Sequence, residues 1–541
     1  MMMVRRLVFF GILLATSAGL VALMAGALVP GGWTVVKGLI LAAFVPAALW
    51  LGVCVGNALP GFLVLVFARN AARAMLPVAG DIERGAITAR TAILVTIRNE
   101  DMGAVLPPLG RLVAALEDPD HFTVFLLSDT QDAAIARAEE AAVAGCGFAV
   151  RYRRRVETVG FKAGNVMEWL DHHAAGFELA LMLDADSEMS AEAVRRLVRI
   201  MQVAPGMGLV QSLIAGRPAA MAFPRLFQFG MRAGMRVWAV GQAFWQGDAG
   251  PYWGHNAIFR IAPFRDHCRL EALPDGSTIL SHDQVEAARL RAAGWGVCVW
   301  ADDTGSSEAN PPAMPEFLHR DGRWLAGNLQ YRHLLRLPGF RAMGRWQLVQ
   351  AMLLFACAPL YVAMFVLAAI AAQTAGEPFP RMTVVALAGA WFVAYYLPKL
   401  LGYMETLMFA ARRARYGGAG RFALGATFEI VFMLLLDAAA NVSKTIAMLR
   451  LVLGAKAGWA PQNRSDRGVG WGEAARLFWG HTLLGTICFA ALAYASVWAA
   501  LIALPFAGGL LVAIPFCVVT ASPSVSAWLR EKRIAALPEE L

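Results

Sequence analysis

The sequence is poor in charge. Only 16% of its 541 residues are Asp, Glu, Lys or Arg, against about 25% in ordinary soluble domains, while 58% are hydrophobic. That imbalance excludes a single soluble globule and a disordered scaffold. Lysine is scarcer still, at six of 48 basic residues, and none stands in a Gly-Lys-Ser/Thr setting, which excludes a P-loop ATPase. Cysteine is sparse as well. Cys54, Cys357, Cys488 and Cys517 fall in apolar runs, and Cys146, Cys268 and Cys298 lie far apart without a CxxC or Cys/His zinc spacing. Neither a disulfide framework nor a structural zinc site is expected.

What is abundant is long apolar sequence. Five runs clear the roughly 20 residues needed to cross a bilayer: 7–29, 38–67, 348–372, 382–403 and 483–504, with a shorter run, 507–523, close enough behind to return. The first exceeds the about 7–15 residues of a signal-peptide core and is expected to be a span. In the second, Pro46 and Pro60 flank Asn57, which predicts a kink or an exit along the interface near its end. Region 422–453 carries Asp437, Asn441 and Lys444 and is expected to be either a tight pair of short spans or an amphipathic interfacial hairpin.

The 48 basic and 39 acidic residues give a formal charge of +9. The basic residues gather beside the spans: Arg5 and Arg6, Arg69 and Arg73, Arg341 and Arg345, Arg412, Arg413, Arg415 and Arg421, then Arg530, Lys532 and Arg533, against Arg381 alone in the loop after 348–372. This asymmetry points to inner-leaflet anchoring and anionic ligands rather than nucleic acid, and places both termini and the large polar insert in the cytoplasm.

That insert, 69–345, alternates β-type runs (91–97, 122–128, 148–153, 180–186, 209–214) with helical stretches, the pattern of a parallel sheet covered on both faces. In such sheets ligands gather at the carboxyl ends of the strands. Here those ends carry Asn99-Glu100, Asp129 and Asp184-Ala185-Asp186. An Asp-x-Asp at a strand end can hold a hard cation together with phosphates, although alone it reads equally as a solvated turn. Lys162, in Gly160-Phe161-Lys162-Ala163-Gly164-Asn165, offers a cation to a diphosphate, or simply snorkels at a helix start. Asp283, beside His282, suits a helix cap as well as a base. Arg320-Asp321-Gly322-Arg323-Trp324 offers guanidiniums to phosphate and an aromatic face to a sugar, or anchors at an interface.

The order Asp129, Lys162-x-Gly164-Asn165, Asp184-x-Asp186, Asp283, Arg320-x-x-Arg323-Trp324 is far more specific than any member. It resembles the processive family-2 glycosyltransferases, which include cellulose, chitin and hyaluronan synthases. Their base motif is Thr/Ser-x-Asp and their last motif Gln-x-x-Arg-Trp. Here these read Ser281-His282-Asp283 and Arg320-x-x-Arg323-Trp324, departures that point away from cellulose synthase. The wording LLSDTQD, RYRRRVETVGFKAGN, MLDADSEMS, YWGHNAIFR, LSHDQVEAARLRAAGWGV, RDGRWLAGNLQ and ALPEE looks like the glucans biosynthesis glucosyltransferase H family, from the first spans to the last residues. Those enzymes make the β-1,2-linked glucose backbone of osmoregulated periplasmic glucans. Some members carry a long cytosolic N-terminal extension, whereas here the first span starts at Leu7, so no role of that extension is carried over.

The resemblance implies an α/β GT-A (Rossmann-like) cytosolic domain inserted in an α-helical membrane domain of about six to eight spans. Two N-terminal membrane helices would occupy 1–68, the catalytic domain with interfacial helices at its end 69–345, a C-terminal membrane region with a gating-type loop near 455–480 residues 346–525, and a cytosolic tail 526–541. It also implies roles. Asp283 would be the catalytic base. Asp129, Lys162, Asn165, Asp184, Arg320, Arg323, Trp459 and Arg464 would bind the UDP donor, and Asp184 and Asp186 would hold Mg²⁺, with Mn²⁺ as an alternative. Trp253, His255, Asn256, His282 and Trp324 would bind the acceptor. Implied partners are UDP-glucose, a glucan acceptor, membrane lipids, a periplasmic glucan-processing protein and acyl carrier protein, at the bacterial inner membrane. The rival expectations are a synthase of another β-glucan and a transporter whose cytosolic domain senses nucleotide.

Overall fold

The computed structural model describes residues 1–76, 82, 85–116, 118–374, 379–455 and 465–541. Among the described residues of the polar insert, ten strands form two sheets: β1 Thr91–Ile97, β2 Phe122–Ser128, β3 Arg151–Arg154, β4 Leu179–Asp184, β5 Glu188–Met189, β6 Met207–Ser212, β7 Ala215–Gly216, β8 Ala257–Arg260, β9 Gly296–Trp300 and β10 Ser306–Glu308. The main sheet runs β3-β2-β1-β4-β8-β6-β9, and β5-β10-β7 form a second. All pairings of the main sheet are parallel except those of β8, which lies antiparallel to both β4 and β6. Two of the five expected strands, 91–97 and 122–128, coincide with β1 and β2, and the other three are displaced by one to three residues at their ends.

The alternation of the strands explains why they stay in place. Ile93, Val95 and Ile97 of β1 pack in one core with the Met102–Ala115 and Ala191–Val203 helices. Ala92 and Leu94 pack in the other with Val166, Met167, Trp169 and Leu170 of the Phe161–His172 helix. Because Ile97 pairs with Ser128 and Thr96 with Asp184, the tips of β1, β2 and β4 end level. That register brings Asn99, Asp129 and Asp184 to one edge.

Among the described residues six helices are long and apolar enough to cross a membrane: Met2–Leu28, Val35–Phe67, Ala342–Gln373, Arg381–Met408, Ala419–Val452 and Trp471–Ala495. A bent pair, Val497–Leu510 and Ala513–Thr520, would make a seventh. The expectation for 422–453 is corrected: this region is one unbroken 34-residue helix, not a pair of short spans or a hairpin. From Ala426 to Leu453 it has no Gly or Pro to break it. Its polar residues find partners instead, since the Tyr396 hydroxyl donates to Asp437 at 2.8 Å and Lys444 pairs with Asp321 at 2.9 Å.

Two further boundaries move. Run 483–504 is split, because Ser496 is extended (φ −162°, ψ 121°) between two helices. Its N–H still reaches the Leu492 carbonyl at 2.8 Å, and its carbonyl accepts from Ala499, so the turn leaves few backbone groups unpaired. The second span does not exit at its prolines but stays helical from Val35 to Phe67. Asn57 is fully buried there, donating to the Val53 carbonyl at 3.1 Å and accepting from the Trp245 indole at 2.8 Å.

Trp245 belongs to a helix the apolar runs do not reveal, Ala222–Gln246, whose arginines hide it from a hydropathy scan. A Cβ on Gly61 would collide with its Val237 carbonyl oxygen, and one on its Gly241 with the Asn57 carbonyl oxygen, so only glycines allow these two helices to pack so closely. Arg225 donates to the Ile534 carbonyl at 2.7 Å and pairs with Glu540, while Arg232 forms a two-pronged pair with Glu539 at 2.5 and 2.6 Å. The segment 534–537 is buried against this helix, so the C-terminal residues are a docked strap.

Candidate active site

Asp129 follows the last residue of β2 and is buried. Arg155 grips both its oxygens, at 2.5 and 2.8 Å, and also donates to the carbonyls of Val159 and Phe161 at 2.8 and 2.7 Å. This fork fixes the loop that leads into the Lys162 helix. Gly160, at φ +76°, opens that helix in a conformation natural only to glycine, and a Cβ on Gly164 would strike the Val159 carbonyl oxygen. Behind Asp129, the buried Glu139 carboxylate accepts from Ser128 (2.7 Å), Thr130 (2.5 Å) and Tyr152 (2.8 Å), and the Asn99 N–H donates to Thr130 Oγ1 at 2.8 Å. The tips of β1 and β2 are thereby tied together.

Asn165 turns under the sheet. Its amide, 1% exposed, donates to the Leu127 carbonyl at 3.1 Å, which joins its helix to β2. Lys162, one turn earlier, points the other way. Its ammonium pairs with Asp184 at the tip of β4 and donates to the Gly254 carbonyl at 2.8 Å.

Gly254, at φ +90°, sits where two halves of the site meet. A Cβ there would lie 3.7 Å from Asp283 Cβ and 3.9 Å from Asp283 Oδ2, so Asp283 faces the same residue that Lys162 holds. Asp283 begins the Asp283–Ala292 helix, and the buried Tyr331 hydroxyl reaches its Oδ1 at 3.5 Å. His282 turns away toward Glu286, 2.7 Å off. Burial opposes the imidazolium, but Glu286 and Asp283 outweigh it, and the His282 pKa is raised.

The loop after Gly254 is anchored on the smaller sheet. His255 Nδ1 lies 3.1 Å from Ser187 Oγ and 3.2 Å from Asn256 Oδ1, and its Nε2 lies 3.3 Å from Glu308. Asn256, buried at φ +48°, donates to Ser306 Oγ at 3.0 Å. The Trp253 N–H donates to Gln211 at 2.8 Å, and its ring packs among Val240, Val299 and Ala301.

Across this loop, burial pushes the Glu308 carboxyl up, His255 and Arg320 pull it back, and Asp186 and Asp184 push it up again, leaving it raised. Burial depresses Arg320, which feels Glu308, Asp321 and Asp186. Half-buried Asp186 therefore lies within the field of Arg320. Arg320 is buried and stacks over Trp324 at 4.5 Å, and among the described residues it makes no ion pair within 4.0 Å. Trp324 keeps 42% of its surface exposed, a face open to a ligand, and Arg323 lies half-buried beside it. A buried cation of this kind, beside two strand-tip acids, suits an anionic ligand.

The arrangement thus brings together Lys162, Asp184, His255, Asp283 and Arg320, with Asp129 at the same sheet edge two strands away, beyond β1. Asn165, Trp253 and His282 serve neighbouring structure with their visible contacts. Trp459 and Arg464 lie outside the described residues. Arg155, Glu139, Glu308 and Tyr331 escape sequence reasoning, because each acts on a residue 9 to 53 positions away or reads as an ordinary strand-edge charge; only the arginine run at the end of β3 offers a local signal.

Comparison with known proteins decides the family. Over 571 aligned positions, 99% of this chain is 32% identical to 87% of a glucans biosynthesis glucosyltransferase H from Xanthomonas campestris pv. campestris. The chain belongs to the glucans biosynthesis glucosyltransferase H family. A member from Pseudomonas putida is 34% identical over 93% of this chain and 61% of its own length. Residues 179–402, from β4 into the fourth membrane helix, match the model described as glycosyl transferase family group 2. Among solved structures, a mannosyltransferase from Pyrobaculum calidifontis in complex with GDP-Man and Mn²⁺ is 15% identical, over 66% of this chain and 95% of that one, at a TM-score of 0.41. With its family and its six long apolar helices, this glucosyltransferase H family member is a membrane-embedded glycosyl-transfer enzyme.

Proposed function

We propose that the enzyme transfers glucose from UDP-glucose to the end of a β-1,2-linked glucan, with inversion, at the cytoplasmic face of the bacterial inner membrane, and that its spans pass the product outward. The observation that carries this reading is Gly254, whose carbonyl is held by the donor-side Lys162 and whose Cα faces Asp283. Donor and acceptor machinery meet at that residue.

Asp283 removes the proton from the attacking glucose hydroxyl, and its position at a helix start beside Tyr331 keeps the carboxylate oriented. Arg320 and Arg323 face the diphosphate and stabilise the charge that grows as the sugar bond breaks. Trp324 offers its open face to the acceptor sugar, and Asp129 faces the nucleoside. Asp184 and Asp186 would hold Mg²⁺, or Mn²⁺ as an alternative. Among the described residues no three His, Cys, Asp or Glu side chains form a closed metal cage, and two carboxylates completed by phosphate oxygens are the donor set Mg²⁺ prefers. The metal, when bound, neutralises the leaving UDP.

UDP release from UDP-glucose by the purified protein in nanodiscs tests the assignment. Asp283→Asn is expected to lower turnover by about 10²–10⁴-fold while UDP binding, followed by calorimetry, stays near wild type. Polymerisation by that variant at the wild-type rate would remove Asp283 from the role of base.

A further inference from the structure

Lys162 occupies a position that a metal-dependent donor site gives it no obvious reason to hold. Its ammonium is spent on Asp184, one of the two carboxylates assigned above to the cation, and on the Gly254 carbonyl at 2.8 Å. Thr96 Oγ1 also reaches the same Asp184 oxygen, at 3.4 Å, and the Asp184 N–H donates to Ser187. Both partners of the ion pair are largely withdrawn from water, with side chains 22% and 31% exposed. A divalent cation approaching Asp184 therefore meets a carboxylate already neutralised, with a like charge beside it.

We infer that Lys162 is an internal stand-in for the metal and makes binding of the divalent cation and of the nucleoside diphosphate mutually dependent. Without diphosphate, a metal on Asp184 leaves the Lys162 ammonium half-buried with only a carbonyl for a partner. With diphosphate present, the same ammonium turns to the phosphate oxygens, and the carboxylate is released to the metal. Each ligand thus removes the obstacle to the other, and linkage makes the effect reciprocal. Because Lys162 also holds the Gly254 carbonyl, and Gly254 lies against Asp283, its departure from Asp184 is felt in the loop that faces the base. The inference rests on the reading of Asp184 and Asp186 as the metal pair.

The test is Mn²⁺ binding to the full chain in nanodiscs, read from the free-Mn²⁺ electron paramagnetic resonance signal with and without UDP. Wild type is expected to bind Mn²⁺ weakly alone and far more tightly with UDP. Lys162→Met is expected to bind Mn²⁺ alone about tenfold or more tightly than wild type, because the competing charge is gone, and to show a smaller gain from UDP. Lys162→Arg, which keeps the charge, is expected to resemble wild type. A Lys162→Met variant that elutes as a folded protein and binds Mn²⁺ alone no better than wild type overturns the stand-in role while leaving the metal pair in place. A wild type that binds no Mn²⁺ even with UDP overturns the metal pair and the coupling with it.

Discussion

At the scale of single residues, the site depends on acids that end strands and on cations held close to them. Asp129 and Asp184 are legible in the sequence because an apolar run that stops at an aspartate marks a strand tip, and the level register of β1, β2 and β4 then sets both at one edge with β1 between them. What holds them is not legible. Arg155 sits 26 positions from Asp129 in a run of arginines that reads as a solvated edge, yet it is 5% exposed and chelates that carboxylate. Asp186 carries the sharper expectation. Asp186→Ala should lose Mg²⁺-dependent UDP binding by calorimetry. Unchanged binding would make the Asp-x-Asp a turn.

At the scale of elements, the decisive piece is the Met314–Gln330 helix, which carries Arg320, Arg323 and Trp324 and is clamped by ion pairs to neighbouring elements. Glu316 pairs with Arg467 at 2.6 Å, Asp321 pairs with Lys444 of the Ala419–Val452 helix at 2.9 Å, and Gly322 faces Ala447 of the same helix. Arg467 in turn grips Glu473, at the start of the Trp471–Ala495 helix. Two membrane helices thus set where the arginines sit. Lys444→Met strips Asp321 of its cation. Leaving one partner of a buried pair alone costs about 3–5 kcal/mol, and somewhat less here because the side chains keep 17% and 10% of their surface. Thermal unfolding in detergent should fall accordingly, and the donor KM should rise. Adding Asp321→Asn should recover most of both losses in a double-mutant cycle. Additive losses would mean that the pair does not act as a unit. This clamp also explains the misreading of 422–453: charged residues in an apolar run argue for leaving the membrane until their partners, 123 residues away for Lys444, are known. The strands were legible where both faces are buried, as in β1 and β2. The antiparallel β8, the five-residue β9 and the short β5, β7 and β10 were not, because segments of two to five residues carry too little period.

At the scale of the whole molecule, catalytic domain and membrane helices form one packed body. The Ala222–Gln246 helix joins them, leaving β7 on one side and meeting the second span at the Gly61 and Gly241 contacts. The C-terminal strap closes over it, with Glu539 and Glu540 neutralising Arg232 and Arg225. The buried arginines that conceal this helix from hydropathy are the ones the strap satisfies, so the last residues and the middle of the chain explain each other. Such a body ties the position of the candidate site to the membrane helices.

The central claim, that this body joins glucose from UDP-glucose through β-1,2 bonds, is tested most directly by incubating the purified protein in nanodiscs with Mg²⁺ and UDP-glucose and subjecting any glucan to methylation analysis. The expected result is UDP release with 2-linked glucose as the main internal residue. UDP release with another linkage would contradict the assigned product, and no release with any UDP-sugar would contradict the assigned donor.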